Sequence, residues 1–360
     1  MKTVKYGLFE YHTENIGDEV QSIAASRFLP RIDYYFDRDN INATKTKSNE
    51  TIKLIMNGWY THHPENWPPK NPNLDPLLIA MHVEQDALDG SPAKAFASPE
   101  SKNFLSKYGP VGARNYPTLD FFKENDIDSY FSGCITLTLN PCPKVKKKDY
   151  ILAVDVPDEI YETMTKNTNR PILKLDTNRK IDLDRGTRFL IAEFWLYLYQ
   201  SAHAVVTTRL HTMLPCLAFK TPVLGISGRD PKRYKGLIDL TNHVSADEYL
   251  KDPSIFNLDH PPKNPDSYLD LRKKLEKTCT DFTNFDSKNS FLGQKKPEEL
   301  LTDPKLLQFF LNASFDTWML EESIARIDYL QNQLNEKAHP GIRESSKHLL
   351  SAFKRKISKS

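Results

Sequence analysis

The sequence predicts an α/β fold: two Rossmann-like, doubly wound domains followed by a helical C-terminal extension. Three observations carry this. Short apolar runs of strand length alternate with helix-period segments in each half of the chain. The run Asn140-Pro141-Cys142-Pro143-Lys144, continuing in lysines to Lys148, breaks that alternation once and reads as a solvated linker. From about residue 266 only helix-period segments remain. The expected domains are therefore 1–143, 149–265 and 266–360.

Bulk properties narrow the function. The chain has 360 residues, 39% hydrophobic and 27% charged, enough for two domains with cores of their own. Mean hydropathy is −0.56, and no apolar run approaches the ~20 residues of a membrane-spanning helix. The N-terminus reads as a strand and not a signal peptide. The four cysteines form no CxxC pair and no disulfide framework, so buried thiols and a cytoplasmic location are expected. A net charge of +2 gives nucleic-acid binding no electrostatic support.

Taken in order, residues 5–11 form a strand, with Tyr6, Leu8 and Phe9 apolar. The loop Asn15-Ile16-Gly17-Asp18 opens a helix through Val20, Ile23, Ala24 and Phe28, and Asp18 with Gln21 has the spacing of a capping box. Gly17 permits a tight turn or a close approach. Strands are expected at 32–36, 51–56 and 77–82, the middle one ending in Asn57-Gly58-Trp59. A helix near 100–108 precedes a strand at 111–114 and a second helix, 119–125, with Thr118 as its cap. Residues 129–131 and 135–139 read as strands around Gly133-Cys134. The second half restarts with a strand at 150–155, a helix near 158–165 and a strand at 171–175. An amphipathic helix at 185–201 follows, with Leu190, Ile191, Phe194 and Leu198 inward. Next comes Val205-Val206-Thr207-Thr208-Arg209-Leu210-His211-Thr212, a buried strand that breaks into a helix, and then the strand from Pro222 to Ile226. Later helices are expected at 268–279, 304–311, 316–336 and 345–360, the last of them basic and amphipathic enough to lie on an anionic membrane.

In doubly wound sheets, ligands sit beyond the carboxyl ends of the strands. Asn15, Gly17, Asp18, Trp59, Arg114, Arg209, His211 and the loop Arg229–Lys232–Arg233–Lys235 all fall at that edge. Arg209 and His211 lie at a helix start, where unpaired N–H groups and the dipole favour an anion. That pairing fits a phosphate or carboxylate site with an acid or base beside it; it equally fits an ordinary cap and a buried, satisfied imidazole. Arg114 is a second anion clamp or an interdomain ion pair. His62 and His63, in the aromatic loop with Tyr60 and Trp67, lack the further ligands a zinc site needs, so no metal is expected. Trp59 is the aromatic best placed to meet a sugar face. No Gly-x-Gly-x-x-Gly, Walker loop or nucleophile elbow is present.

Assembled, Asn15-Ile16-Gly17-Asp18-Glu19 with Gln21, Gly112-Ala113-Arg114 with Thr118, Ser132-Gly133-Cys134, Thr208-Arg209-Leu210-His211, Pro222-Val223 and Tyr234-Lys235 resemble the polysaccharide pyruvyl transferase family over about residues 5–240. Arg-Leu-His after a strand is the most specific part. The resemblance implies a GT-B-like pair of domains facing across a cleft. It also implies transfer of pyruvate from phosphoenolpyruvate to two hydroxyls of a sugar, free or lipid-linked, in surface polysaccharide synthesis. It implies that Thr208, Arg209, Leu210, His211, Arg114 and Lys235 bind phosphoenolpyruvate and that His211 is the general acid. Asn15, Gly17, Asp18 and Trp59 would then meet the acceptor, and no cofactor beyond the donor substrate is called for. The alternatives are a GT-B-like glycosyltransferase using a nucleotide sugar and a non-catalytic sugar-binding protein on the same fold.

Overall fold

In the computed structural model, which describes residues 2–177, 183–227 and 231–287, the strand–helix alternation becomes two parallel sheets. The first contains β1 (Thr3–Glu10), β2 (Tyr34–Asp37), β3 (Glu50–Trp59), β4 (Leu74–His82), β5 (Val111–Ala113) and β6 (Ser129–Phe131), in the order β2-β1-β3-β4-β5-β6. The second contains β7 (Ile151–Val154), β8 (Ile172–Leu175), β9 (Ala204–Thr207), β10 (Val223–Ser227) and β11 (Asn242–Ser245), in the order β11-β10-β9-β7-β8. Among the described residues the helices are α1 (Glu19–Ser26), α2 (Ser91–Ala97), α3 (Pro99–Tyr108), α4 (Tyr116–Glu124), α5 (Asp158–Lys166), α6 (Arg185–Ser201), α7 (Leu210–Phe219), α8 (Ala246–Lys251) and α9 (Leu269–Thr283).

Both sheets have the same winding. The chain steps outward from β1 to β2 and then returns past β1 to β3; β7, β8 and β9 repeat the move. Each sheet therefore has one switch point, between β1 and β3 and between β7 and β9, where the following loops diverge and leave a crevice. Central strands buried on both faces explain the unbroken apolar runs: β7 and β9 have every residue buried.

Four local expectations are corrected. Residues 135–139 are not a strand but a buried 3-10 turn (Ile135–Thr138). An apolar run that short carries no decisive period. Here it packs against α1, α7 and α9, and its carbonyls are taken by side chains: Arg272 Nη1 donates to Leu137 O (3.0 Å) and Leu139 O (2.9 Å), and Arg27 donates to Thr138 O. The α4 cap is Asn115, whose Oδ1 accepts from Thr118 N at 3.1 Å. Thr118 instead bonds His82 Nδ1 at 3.0 Å. Asp18 makes no cap bond, and Gln21 donates to its carboxylate rather than to the backbone, so the capping box is absent. Helix α6 is not one-sided: it is packed between α1 and α7, and Leu198, expected inward, is one of its few partly exposed residues.

Sequence reading missed α2, β11 and α8. The expected helices at 304–311, 316–336 and 345–360 lie outside the described residues. The last described helix, α9, returns to the first sheet's side, where Arg27 pairs with Glu276 (2.9 Å) and Asp286 (2.7 Å). All four cysteines are free, and Cys134, Cys216 and Cys279 are buried. Among the described residues no helix is long and apolar enough to cross a membrane.

Candidate functional site

The two switch points face one another, and a pocket lies between them. It is lined from the first sheet by Asn15, Gly17, Asp18, Trp59 and Arg114, and from the second by Thr177, Tyr199, Arg209, Leu210, His211, Thr212, Arg233 and Tyr234.

After β1 the chain turns on Asn15, whose Oδ1 accepts from Gly17 N at 3.0 Å. A Cβ on Gly17 would stand 2.8 Å from that oxygen, so a side chain here would displace Asn15 from its turn, while the 3.6 Å it would leave to the Cβ of His211 is ordinary contact. Asp18 is consequently buried. Its Oδ1 accepts from Asn15 Nδ2 (3.3 Å) and Gln21 Nε2 (3.2 Å), and its Oδ2 accepts from Arg38 Nη1 (2.8 Å). Arg38 is fully buried, forks onto Asp39 as well, and lies 4.9 Å over the Tyr11 ring.

After β9, Arg209 is the N-cap residue of α7, and its Nε donates to Asp155 Oδ2 at 2.9 Å. Asp155 stands at the end of β7 and also accepts from Thr177 N at 3.0 Å. Thr208 braces this junction: its hydroxyl donates to Asp155 O (2.7 Å) and its carbonyl accepts from Tyr234 Oη (3.0 Å). The Leu210 and His211 amides open α7 without an intrahelical acceptor, Thr212 N reaches back to Arg209 O at 3.2 Å, and Pro215 supplies no N–H for the His211 carbonyl. His211 Nδ1 is 3.9 Å from Asp18 Oδ1, while its Nε2 is buried without a hydrogen-bond partner. Burial, and then the neighbouring Arg114 charge, push its pKa down to about 3; Asp18 works against them. An imidazole held there is neutral near pH 7.

Arg114 follows β5, held by its backbone N–H to Met81 O at 2.8 Å. Its side chain is buried, its Nε has no partner, and no carboxylate lies within ion-pair distance among the described residues. Burial pulls its pKa down, and Asp18 opposes this only from beyond ion-pair distance. Arg233 reaches over from the second sheet's loop. Its guanidinium lies 4.9 Å above the Trp59 ring and its Nε is 3.5 Å from Glu84. Glu84 in turn contacts His82 Nε2 at 3.3 Å, and burial lowers the His82 pKa to about 4.

Of the expected site residues, Asn15, Gly17, Asp18, Trp59, Arg114, Arg209, Leu210 and His211 line one pocket. Thr208 stands behind it. Lys235 is exposed and does not line it; Arg233, two residues earlier, does. Arg229 lies outside the described residues. Trp67 is a core residue, stacked on Phe96 at 4.2 Å with its Nε1 donating to Ser101 Oγ at 2.7 Å. No group of three or more His, Cys, Asp or Glu placed to hold a metal ion occurs among the described residues. Sequence reading missed Arg38, His82, Glu84, Asp155, Thr177 and Tyr199. Asp155 carried a signal, as a carboxylate at a strand's carboxyl end; the others depend on which strands adjoin.

Comparison with known proteins adds a family. The family model for polysaccharide pyruvyl transferase matches residues 15–230. No curated protein matches the chain. Among solved structures, an uncharacterized protein from Klebsiella pneumoniae is similar at 13% identity and a TM-score of 0.44, covering 68% of this chain and 93% of its own.

Proposed function

The chain belongs to the polysaccharide pyruvyl transferase family, and from that premise we propose that it moves pyruvate from phosphoenolpyruvate to two hydroxyls of a sugar, giving a cyclic ketal and phosphate. The observation that carries this reading is Arg114. A buried guanidinium without a counter-ion costs several kcal/mol, roughly 3–5, and a compact anion entering the pocket would offset that cost. Phosphoenolpyruvate has two anionic groups, and Arg114, Arg209, Arg233 and the α7 N-terminus provide separate cationic anchors for them.

In this scheme His211 protonates the methylene carbon through Nε2, the nitrogen without a protein partner. The C2 centre becomes oxocarbenium-like and one sugar hydroxyl attacks it, its proton returning to the imidazole. The C2–O bond to phosphate then breaks, and the second hydroxyl closes the ketal as its proton leaves with phosphate. Burial, and after it the Arg114 and Arg233 charges, make the imidazole too weakly basic to begin this by itself. The donor's negative groups oppose those two charges and so raise its pKa, with burial still acting against protonation. A positioned acid of this kind contributes about 10²–10⁴-fold. Asp18 Oδ1, 3.9 Å from the other ring nitrogen, is too far to hydrogen-bond it and favours the imidazolium by its charge. No metal or cofactor enters any step.

The two sheets are then the acceptor-side (1–143) and donor-side (149–265) domains of a GT-B-like pair, with 266–360 as the helical extension. A cytoplasmic enzyme acting at the inner membrane face, anchored by the basic segment 345–360, completes the proposal. Incubation with phosphoenolpyruvate and a mixed sugar pool, and in parallel with nucleotide sugars, tests it. Phosphate release dependent on both phosphoenolpyruvate and a sugar is expected. Failure of phosphoenolpyruvate to bind, or turnover of nucleotide sugars alone, would overturn it.

A further inference from the structure

The inner pocket opens into a second, larger cavity of about 880 Å³. The two share a wall formed by Asn15, Trp59, Arg209 and Arg233. Beyond that wall the chemistry changes sign. The outer basin has no lysine and no further arginine among its described lining residues, and it presents Glu14, Asp37 and Asp39 together with Asn40, His12 and His62. Asp39 is fixed by the Arg38 fork (3.0 and 2.9 Å) and lies 3.5 Å from His62 Nδ1. Asp37 accepts from Asp39 N through Oδ1 at 2.9 Å, with its Oδ2 4.0 Å from His12. Glu14 is exposed and makes no ion pair among the described residues.

We propose that this outer basin is the acceptor subsite, and that it takes a sugar unit that is uncharged or bears an amine while rejecting uronates and sugar phosphates. The assignment rests on the transferase reading above and names the class of its second substrate. Carboxylates and amides set around an open cavity meet vicinal hydroxyls as paired acceptors and donors. Cavities of roughly 300–1,000 Å³ accommodate ligands larger than one hexose ring. The basin also adjoins the donor across the shared wall, where an acceptor hydroxyl must arrive. Charge sets the selectivity. Once the donor's anions occupy the shared arginines, an acidic substituent in the basin meets the carboxylates of Glu14, Asp37 and Asp39, with the imidazoles of His12, His62 and His63 as the remaining basic side chains of the described lining, and like charges placed together discriminate against that partner. An ammonium group meets the opposite situation.

The test uses the full chain and direct binding by ligand-observed NMR. The probes are methyl glycosides in the gluco, galacto and manno series, each as the neutral sugar, the 2-amino sugar and the uronate. Neutral or amino forms of at least one series are expected to bind at least tenfold tighter than the corresponding uronate. Glu14→Lys combined with Asp37→Asn, which keeps the acceptor for Asp39 N, should narrow that ratio at least fivefold. Uronates binding as well as neutral sugars, a ratio unmoved by the double variant, or no glycoside binding at millimolar concentration would each overturn the proposal. Phosphoenolpyruvate is titrated separately. Sugar preference without phosphoenolpyruvate binding removes the donor reading and leaves the basin; phosphoenolpyruvate binding without sugar preference removes the basin alone.

Discussion

Arg114→Met is the substitution for which the structure makes its sharpest claim. The thioether side chain keeps much of the volume of the arginine stem and removes a buried charge that has no ion-pair partner among the described residues. An uncompensated buried charge costs about 3–5 kcal/mol. Asp18 compensates part of that at longer range, so about 2 kcal/mol is recoverable. At roughly 2–4 °C per kcal/mol, the ligand-free variant should melt about 4–8 °C above the parent. Binding should move the other way. Losing a buried charged contact costs about 2–5 kcal/mol, or roughly 30- to 5,000-fold in Kd for phosphoenolpyruvate. A third consequence reaches His211, since Arg114 is the leading charge that lowers its pKa. The imidazole should titrate at higher pH in the variant. Thermal melts with and without phosphoenolpyruvate, isothermal titration and histidine NMR read the three effects. A variant that melts lower without ligand and still gains the parent's stabilisation from phosphoenolpyruvate would show that Arg114 is a structural residue, and the anion-site argument would fail.

Three further outcomes are expected. His82 and His211 have folded pKa values of about 4 and 3, below the ~6.5 of an unfolded imidazole, so the unfolded chain binds more protons in that window. Each histidine should therefore lower stability as pH drops below about 6.5, by up to about 1.4 kcal/mol per pH unit, against the opposite effect of Glu19, whose pKa burial raises to about 7, and His82→Gln should lower the slope of urea midpoint against pH relative to the parent. Glu84→Ala releases Arg233 from its position over Trp59 and should raise the phosphoenolpyruvate KM severalfold with a smaller change in kcat; an unchanged KM would remove Arg233 from the site. Arg188→Met strands the buried Glu19 carboxylate, which Arg188 contacts at 2.5 and 3.2 Å across the α1–α6 packing. It should cost about 3–5 kcal/mol, much of it restored by adding Glu19→Gln, and thermal melts of the single and double variants decide this.

The stretch from Val205 to His211 was legible because a fully buried strand needs an unbroken apolar run, and a polar break marks where it leaves the sheet. Gly17 and Arg114 were legible for the same reason: each follows a recognisable strand. Lys235 is exposed and off the pocket while Arg233 faces inward at Trp59, because which side chain of a basic loop turns inward depends on the turn the chain makes there. Residues 135–139 were misread because a short buried run has the same composition in a strand and in a turn whose carbonyls are satisfied by arginines. Asp18 had a capping signature, but Arg38, twenty residues on and in a different loop, claims its carboxylate.

By itself the sequence determined the α/β class, the strand–helix rhythm and the residues placed at strand ends, since periodicity and turn chemistry act over a few residues. Only the tertiary structure decided that β1 and β3, and β7 and β9, are neighbours. That adjacency creates both switch points and sets His211 3.9 Å from Asp18 across them. It also leaves Arg114 buried without a counter-ion, a state no local pattern records because it is defined by what the rest of the chain does not place nearby.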